Sequence, residues 1–187
     1  MSVNPDFESI RPYTARLSAL FPQLGLEVKT GRNSVRIATV DDERVAIKSY
    51  ERMTWANRYV YGLFRKSKAQ RAYENALVLL NCQISTPAPI AFVDYVRNGK
   101  LIKSYFVSKY VPFKSAKELF SGSIEDCRVA LISFAKFVHK LHTQGIYHND
   151  FNLSNIFYSL NGSSFEFSLI DNNRMNFRKP FEAQSGT

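Results

Sequence analysis

The chain has 187 residues, 45% of them hydrophobic, which is enough for the core of one domain or two small lobes. No run reaches the roughly 18 consecutive apolar residues of a membrane span, and the first eight residues lack the basic and apolar regions of a signal peptide. The formal net charge of +9 favours an anionic partner, such as a membrane surface, a nucleic acid or a phosphorylated substrate.

The first half of the chain predicts a small antiparallel sheet. Residues 1–25 are expected to form a peripheral segment with a short helix from Pro12 to Phe21. Alternating apolar and polar side chains predict strands at 26–30 and 34–40, joined by the turn Gly31-Arg32-Asn33. A second turn at 41–44 leads to a strand at 45–50, which completes a three-stranded meander.

A helix and a hairpin follow this meander. The spacing of apolar residues predicts a helix over 67–81, with a helical period formed by Ala69, Ala72, Tyr73, Ala76, Leu77 and Leu80. Pro87 and Pro89 end it. Strands at 90–95 and 101–111 flank Asn98-Gly99, which is a hairpin turn signal. Residues 26–111 therefore predict a lobe of five antiparallel strands with one inserted helix.

Beyond Pro112 the pattern becomes mainly helical. A helix is predicted from Ile124 to Thr143, with Gly145 ending it. Its apolar stripe comprises Cys127, Leu131, Phe134, Ala135, Val138 and Leu141. A hairpin of residues 157–160 and 165–170 turns at Asn161-Gly162. The predicted fold class is α+β, with a second lobe over 112–187.

Several residues with candidate catalytic roles lie in one short tract, residues 148–155. His148, Asp150 and Asn155 follow the order His-x-Asp-x-x-x-x-Asn, which is typical of a phosphotransferase catalytic loop. Asp171 comes after an apolar strand, as expected for a second metal ligand. Lys48, in Val45-Ala46-Ile47-Lys48, has the pattern of a lysine that anchors nucleotide phosphates.

Taken together, these motifs resemble the protein-kinase-like superfamily, and more closely the bacterial lipopolysaccharide core kinases that phosphorylate Kdo or heptose. The resemblance covers about residues 26–178. It rests on Gly31-Arg32-Asn33, Ile47-Lys48, the segment 64–71, Thr86-Pro87-Ala88-Pro89, the catalytic tract, and Ile170-Asp171-x-Asn173-Arg174.

The resemblance implies ATP and Mg²⁺ as cofactors and a role for each matching residue. Asp150 would orient the acceptor hydroxyl and take its proton, and Asn155 and Asp171 would bind Mg²⁺. Lys48 would neutralise the ATP phosphates, with Glu74 as its ion-pair partner. His148 would hold the loop backbone. The nucleotide would also meet Gly31, Arg32, Asn33, Ala46, Val107 and Val111, the last two through backbone groups.

A basic and aromatic segment predicts contact with an anionic membrane. It combines cations with residues suited to the headgroup region: Arg58, Arg65, Lys66, Lys68 and Arg71 with Trp55, Tyr59, Tyr61, Leu63 and Phe64. A solvated helix face beside core aromatics would give the same composition. No nucleic-acid-binding signature accompanies the charge. These features favour a cytoplasmic protein peripheral to the inner membrane, acting on a lipid A core sugar.

Three features of the sequence depart from the protein-kinase pattern. The phosphate loop has one glycine, Gly31, and the metal-binding aspartate is followed by Asn172-Asn173 instead of Phe-Gly. Only 16 residues follow Asp171, which predicts either a shortened second lobe or a sequence that is a fragment of a longer one. We therefore expect an incompletely covered apolar face around Leu131, Phe134 and Val138 and a tendency to self-associate.

Two other functions share the same loop. One is a small-molecule phosphotransferase of the aminoglycoside type, although the chain has little of the acidic clustering that cationic acceptors require. The other is a catalytically inactive kinase-like binding module. A zinc site of His139, His142 and His148 is disfavoured, because neither Cys82 nor Cys127 lies at ligand spacing.

Overall fold

A computed structural model describes residues 1–29, 33–50, 65–162 and 164–178. The chain divides into two compact units. The first contains residues 1–77 and 87–111, and the second contains residues 78–86 and 112–187.

The described part of the first unit is built on a six-stranded antiparallel sheet. Its order is β1-β5-β6-β4-β3-β2. The strands are β1 (Ser2–Val3), β2 (Leu26–Lys29), β3 (Ser34–Val40), β4 (Glu43–Ser49), β5 (Pro89–Arg97) and β6 (Lys100–Lys109). The predicted meander and the later hairpin are confirmed. At the hairpin turn Asn98 and Gly99 both have positive φ, 50° and 69°, the geometry that two-residue hairpins favour.

The N-terminal segment is not peripheral, which corrects the sequence prediction. Its side chains enter the core of the first unit, and β1 extends the sheet by pairing with β5. The expected single helix is divided into α1 (Arg11–Ala15) and α2 (Leu17–Leu20), with 3₁₀ turns at Pro5–Ile10 and Phe21–Gln23. The segment contributes four buried side chains to this core: Val3, Ile10, Leu17 and Phe21.

Hydrogen bonds fasten this segment to the sheet. Asn4 Nδ2 donates to the Pro89 carbonyl at 3.0 Å, and the Ser18 N–H donates to Tyr95 Oη at 3.0 Å. The segment then passes into β2 through Gly25, whose φ is +37° and where a Cβ would lie 1.9 Å from the Ile37 carbonyl oxygen. Only glycine fits this close approach.

Helix α3 (Lys68–Asn81) confirms the predicted inserted helix. Its buried residues include the predicted Ala69, Ala72, Tyr73 and Ala76. Leu80, which is also part of the apolar period, is exposed, whereas its neighbour Leu79 is buried.

The second unit combines helices with short sheets. Helices α4 (Ala116–Leu119) and α5 (Ile124–Thr143) accompany β7 (Lys114–Ser115), β8 (Ile146–His148), β9 (Ile156–Asn161), β10 (Ser164–Leu169) and β11 (Met175–Phe177). β10 pairs with β9, β9 with β7, and β11 with β8. The buried core comprises Leu79, Ile84, Ala116, Leu141, Ile146, Ile156, Phe167 and Leu169.

Helix α5 has the predicted bounds, but part of its apolar stripe faces solvent. Phe134 and Phe137 pack on Phe167, with ring centroids 5.2 and 5.8 Å away. Leu131 and Ala135 are exposed. Among the large apolar side chains of α5, those exposed are Ile124, Val129, Leu131 and Ile132, so the uncovered face is shifted from the one expected around Phe134.

None of the helices in the described ranges combines the length and the apolar character needed to cross a bilayer.

Candidate active site

The predicted catalytic loop lies between β8 and β9. It leaves β8 at His148, passes Asp150, makes a 3₁₀ turn at Leu153–Asn155 and enters β9 at Ile156. The turn begins at Asn152, whose Oδ1 accepts a hydrogen bond from the Ser154 N–H at 3.1 Å. An asparagine suits this position because its side chain can bond to the backbone two residues later.

His148 connects the loop to the end of β10. The residue is only 8% exposed. Nδ1 lies 3.1 Å from the Asp150 backbone nitrogen, which can only donate, and Nε2 lies 3.1 Å from the Ile170 carbonyl oxygen, which can only accept. Both bonds form when Nε2 carries the proton and Nδ1 is the acceptor. The ring therefore fixes the backbone at Asp150, the structural role that was expected of His148.

Asn155 is held against the same loop. Its Nδ2 donates to the Asp150 carbonyl at 2.9 Å, and its own carbonyl accepts from the Ile170 N–H at 2.9 Å. Since the amide nitrogen is used in the first bond, the amide oxygen is the end that can bind a cation.

Asp171 lies just after β10, separated from the strand by Ile170. Because Ile170 is bonded to both His148 and Asn155, the segment that carries Asp171 is tied to the loop that carries Asp150. Asp171 has a left-handed backbone, with φ 59° and ψ 42°. Aspartate is among the few residues other than glycine that adopt this conformation readily, and such residues cluster at functional sites.

Sequence reasoning did not identify Thr86 as part of this site. Thr86 Oγ1 donates to the Leu169 carbonyl at 2.8 Å and accepts from Asn172 Nδ2 at 2.8 Å. Thr86 and Asn172 are buried. The two hydrogen bonds of Thr86 hold residues on either side of Asp171. A lone threonine before Pro87 gives no local signal of a partner 83 residues away.

The sequence indicated Arg174 only as part of the motif that contains Asp171, and the structure places it beside Asp150. Its guanidinium Nη1 is 4.0 Å from Asp150 Oδ2. The side chains of Arg174 and Asp150 are 57% and 44% exposed.

In the first unit, Lys48 lies on β4 with its backbone paired to β3 and β6. Its ammonium is 5.3 Å from the centre of the Tyr50 ring. Ala46 is half-buried on the same strand. The lysine therefore extends from a strand that has a partner on each side.

Two of the predicted nucleotide contacts need correction. Glu74 forms an ion pair with Lys66 at 2.7 Å and accepts from Gln70 at 3.0 Å, and no pair within 4 Å joins it to Lys48 among the described residues. Val107 lies inside β6 between β4 and β5, so its backbone bonds within the sheet. Val111 lies beyond the end of β6.

Other predictions fall partly or wholly beyond the described ranges. Asn33 forms a bend before β3, whereas Gly31 and Arg32 lie outside the described residues. So does most of the basic and aromatic segment, including Trp55, Arg58, Tyr59, Tyr61, Leu63 and Phe64.

The donor set of the second unit fits Mg²⁺. Asn155 supplies an amide oxygen and Asp171 a carboxylate, and both are hard ligands of the type that Mg²⁺ prefers. The described residues contain no cluster of three or more His, Cys, Asp or Glu side chains that could hold a metal. Mg²⁺ does not need such a cluster, since it is usually bound by one or two carboxylates together with substrate phosphates and water.

Two solved structures share the fold. "WaaP in complex with acyl carrier protein" matches with a TM-score of 0.64 and 15% identity, over 96% of this chain and 73% of that one. The Rio2 kinase-ADP/Mg²⁺-phosphoaspartate complex from Chaetomium thermophilum matches with a TM-score of 0.60 and 15% identity, over 91% and 54% of the respective chains. They confirm the protein-kinase-like fold class. A search of curated proteins found no match.

A family comparison extends the likeness from fold to family. The model of the lipopolysaccharide kinase (Kdo/WaaP) family matches residues 29–185, most of the chain. This range includes Lys48, the His148–Asn155 loop and Asp171. The chain therefore belongs to the lipopolysaccharide kinase (Kdo/WaaP) family, and it is a kinase.

Proposed function

We propose that the protein transfers the γ-phosphoryl group of ATP to a sugar hydroxyl of the lipopolysaccharide inner core, on Kdo or on heptose. The main support is the hydrogen-bond network of His148, Asn155 and Ile170, which ties the segments carrying Asp150 and Asp171 together. Phosphoryl transfer depends mainly on positioning and on electrostatic stabilisation, so a rigid constellation of this kind suits the reaction.

Asp150 is proposed to orient the acceptor hydroxyl and to receive its proton. Its backbone is held on both sides, at the N–H by His148 and at the carbonyl by Asn155. Its carboxylate remains partly exposed and accessible to a substrate. In a loose transition state the proton leaves late, so correct placement of the carboxylate matters more than its basicity.

Asn155 and Asp171 are proposed to hold Mg²⁺ in the second unit. The bound ion would neutralise charge on the phosphates of ATP. The chain's own contribution is to present two oxygen ligands on segments that the Ile170 backbone connects.

The first unit is proposed to bind the nucleotide. Lys48 would neutralise phosphate charge from its paired strand, and Ala46 would contribute to the apolar surface against the purine. Gly31, Arg32, Asn33 and Val111 keep their proposed contacts with the nucleotide. The contacts of Glu74 with Lys66 and of Val107 within the sheet remove those two residues from the proposal.

The net charge supports the proposed acceptor and the proposed location. A lipid A core acceptor is anionic, and a net charge of +9 favours its approach to the protein. The basic and aromatic segment would hold the protein at the cytoplasmic face of the inner membrane.

The test is ATP turnover with purified lipid A core acceptors. We expect wild-type protein to transfer phosphate, and Asp150→Asn to lower kcat by about 10²- to 10⁴-fold, the usual contribution of a positioned base. Asp6→Asn, the same change at an exposed position of the first unit, should leave kcat unaltered. Product mapping on acceptors with and without heptose would identify the phosphorylated sugar.

Three results would contradict this proposal. Full activity of Asp150→Asn would remove the catalytic assignment. Faster turnover of aminoglycosides than of core acceptors would favour a small-molecule phosphotransferase. Absence of Mg·ATP binding at millimolar concentration in a thermal-shift assay would favour an inactive binding module.

A further inference from the structure

Arg174 has a fixed backbone and an exposed head. Its carbonyl accepts a hydrogen bond from the Asn149 N–H at 2.8 Å, and the next residue, Met175, pairs with His148 in the β11–β8 ladder. The side chain, by contrast, is 57% exposed. The base of this side chain is therefore anchored to the catalytic loop while the guanidinium faces solvent.

The ion pair with Asp150 is too weak to make stabilisation of the fold the role of Arg174. Its 4.0 Å separation is at the outer limit for an ion pair, and both partners are substantially exposed. Exposed pairs of this kind contribute about 0–1 kcal/mol. Within the described part of the chain, this is the one polar contact of the guanidinium. Most of its five N–H donors are thus free to bind an anion in a bidentate manner.

We infer that Arg174 binds an anionic group of the acceptor, a carboxylate or a phosphate, close to the hydroxyl that Asp150 orients. This inference rests on the proposed function and specifies its substrate class. Asp150 and Arg174 together form a two-point site, in which the carboxylate accepts from a hydroxyl and the guanidinium donates to a neighbouring anion. A guanidinium at this position also disfavours cationic acceptors such as aminoglycosides, because like charges repel.

The test measures acceptor binding by titration calorimetry with wild-type protein and with Arg174→Gln. Three acceptors are compared: the anionic lipid A core, the same molecule with its sugar carboxylates converted to methyl esters, and the same molecule without its phosphates. We expect Arg174→Gln to raise the Kd of the anionic acceptor about tenfold or more, since a charge-assisted hydrogen bond is lost. The difference between the two proteins should disappear with the one acceptor that lacks the recognised anion, which identifies that anion.

Two variants serve as controls. Arg128→Gln removes the same charge from an exposed position of α5, so it should bind like the wild type. Arg174→Lys keeps the charge but loses the bidentate geometry, so its Kd should be intermediate. Thermal unfolding of Arg174→Gln should match that of Arg128→Gln.

The inference is overturned if Arg174→Gln binds the anionic acceptor as well as the wild type does. It is also overturned if the loss is the same for all three acceptors, or if the variant weakens binding of Mg·ATP instead. Binding does not require turnover, so the two proposals can fail separately. Arg174-dependent binding without phosphate transfer would contradict the proposed reaction and leave the anion site supported.

Discussion

At the scale of single residues, His148 has the strongest effect on the geometry of the loop. It is the one side chain in the described part of the chain that bonds both to the Asp150 backbone and to the strand end before Asp171. The spacing of the motif marked the residue, and its structural role was expected. The acceptor on its other side, the carbonyl of Ile170, is 22 residues away and was not apparent from the motif.

We predict that His148→Ala destabilises the protein and lowers activity. Two backbone groups lose their partner in a largely buried place, which should cost about 2 kcal/mol and lower Tm by about 4–8 °C. Calorimetry measures the first effect and phosphate transfer the second. His139→Ala provides the control, since His139 is exposed on α5. Equal Tm values for the two variants would show that the His148 contacts are not structural.

The environment of Tyr13 leads us to predict that the stability of the protein decreases at alkaline pH. Burial raises the pKa of Tyr13 above its ordinary value of about 10, and its hydroxyl has no hydrogen-bond partner within the described ranges. A raised pKa means that the folded state holds the proton more tightly. The resulting stability is therefore complete below about pH 10 and decreases as the pH rises through the folded-state pKa.

The matched variant is Tyr13→Phe. At neutral pH it should be neutral or stabilising by up to about 1 kcal/mol, because an unpaired buried hydroxyl is removed. The free energy of unfolding, measured in urea from pH 8 to 11, should decline less for the variant than for the wild type. Parallel declines would contradict the assignment.

At the scale of elements, the N-terminal segment differs most from its prediction. Its helices are four and five residues long, too short for a clear 3.6-residue period. Their burial depends on the sheet face supplied by residues much later in the chain, such as Ile90 and Tyr105.

We predict that this segment is part of the folding unit. Leu17 is fully buried, and Leu17→Ala should cost about 2–5 kcal/mol. Leu26→Ala makes the same change on an exposed strand residue and should stay within about 0.5 kcal/mol. Urea unfolding compares the two, and equal costs would restore the view of a peripheral segment.

The elements that were predicted well have strong local signals. Helix α5 matches its predicted bounds because a long amphipathic stretch is followed by Gly145, whose φ is +71°. The β5–β6 hairpin follows from Asn98-Gly99. Periodicity was less informative about which α5 side chains are covered, because Leu131 and Ala135 share the stripe yet face solvent.

In the candidate site, too, features with a local sequence signal were predicted and tertiary contacts were not. Asp150, Asn155 and Asp171 were identified from spacing because that signal is local. The contacts of Thr86, Glu74 and Arg174 depend on tertiary packing, which spacing does not contain. Glu74 is an example, because its ion pair is with Lys66, eight residues before it in the chain.

At the scale of the whole molecule, the net positive charge is the main property that bears on binding partners. The excess of nine positive charges is distributed over 25 lysines and arginines against 16 acidic residues. Such a balance attracts anionic surfaces over a distance set by ionic strength, about 8–10 Å in physiological salt.

We predict binding to vesicles that contain anionic lipid and little binding to neutral ones. Because attraction between the net charge and the surface is screened by salt, binding should decrease steeply between low and high salt concentration. Co-sedimentation at two salt concentrations measures this. Equal binding to neutral vesicles would indicate instead that apolar contact dominates, for example through the exposed Ile124 and Ile132.

The left-handed backbone of Asp171 has a consequence for the design of knockouts. Replacement by alanine would remove a carboxylate and would also place a residue with little tolerance for positive φ at a strained position. Loss of activity in an alanine variant would therefore combine the effect of the missing carboxylate with the effect of backbone strain. Asparagine accepts the same backbone geometry, so Asp171→Asn isolates the loss of negative charge, and Asp171→Gly isolates the loss of the whole side chain without added strain.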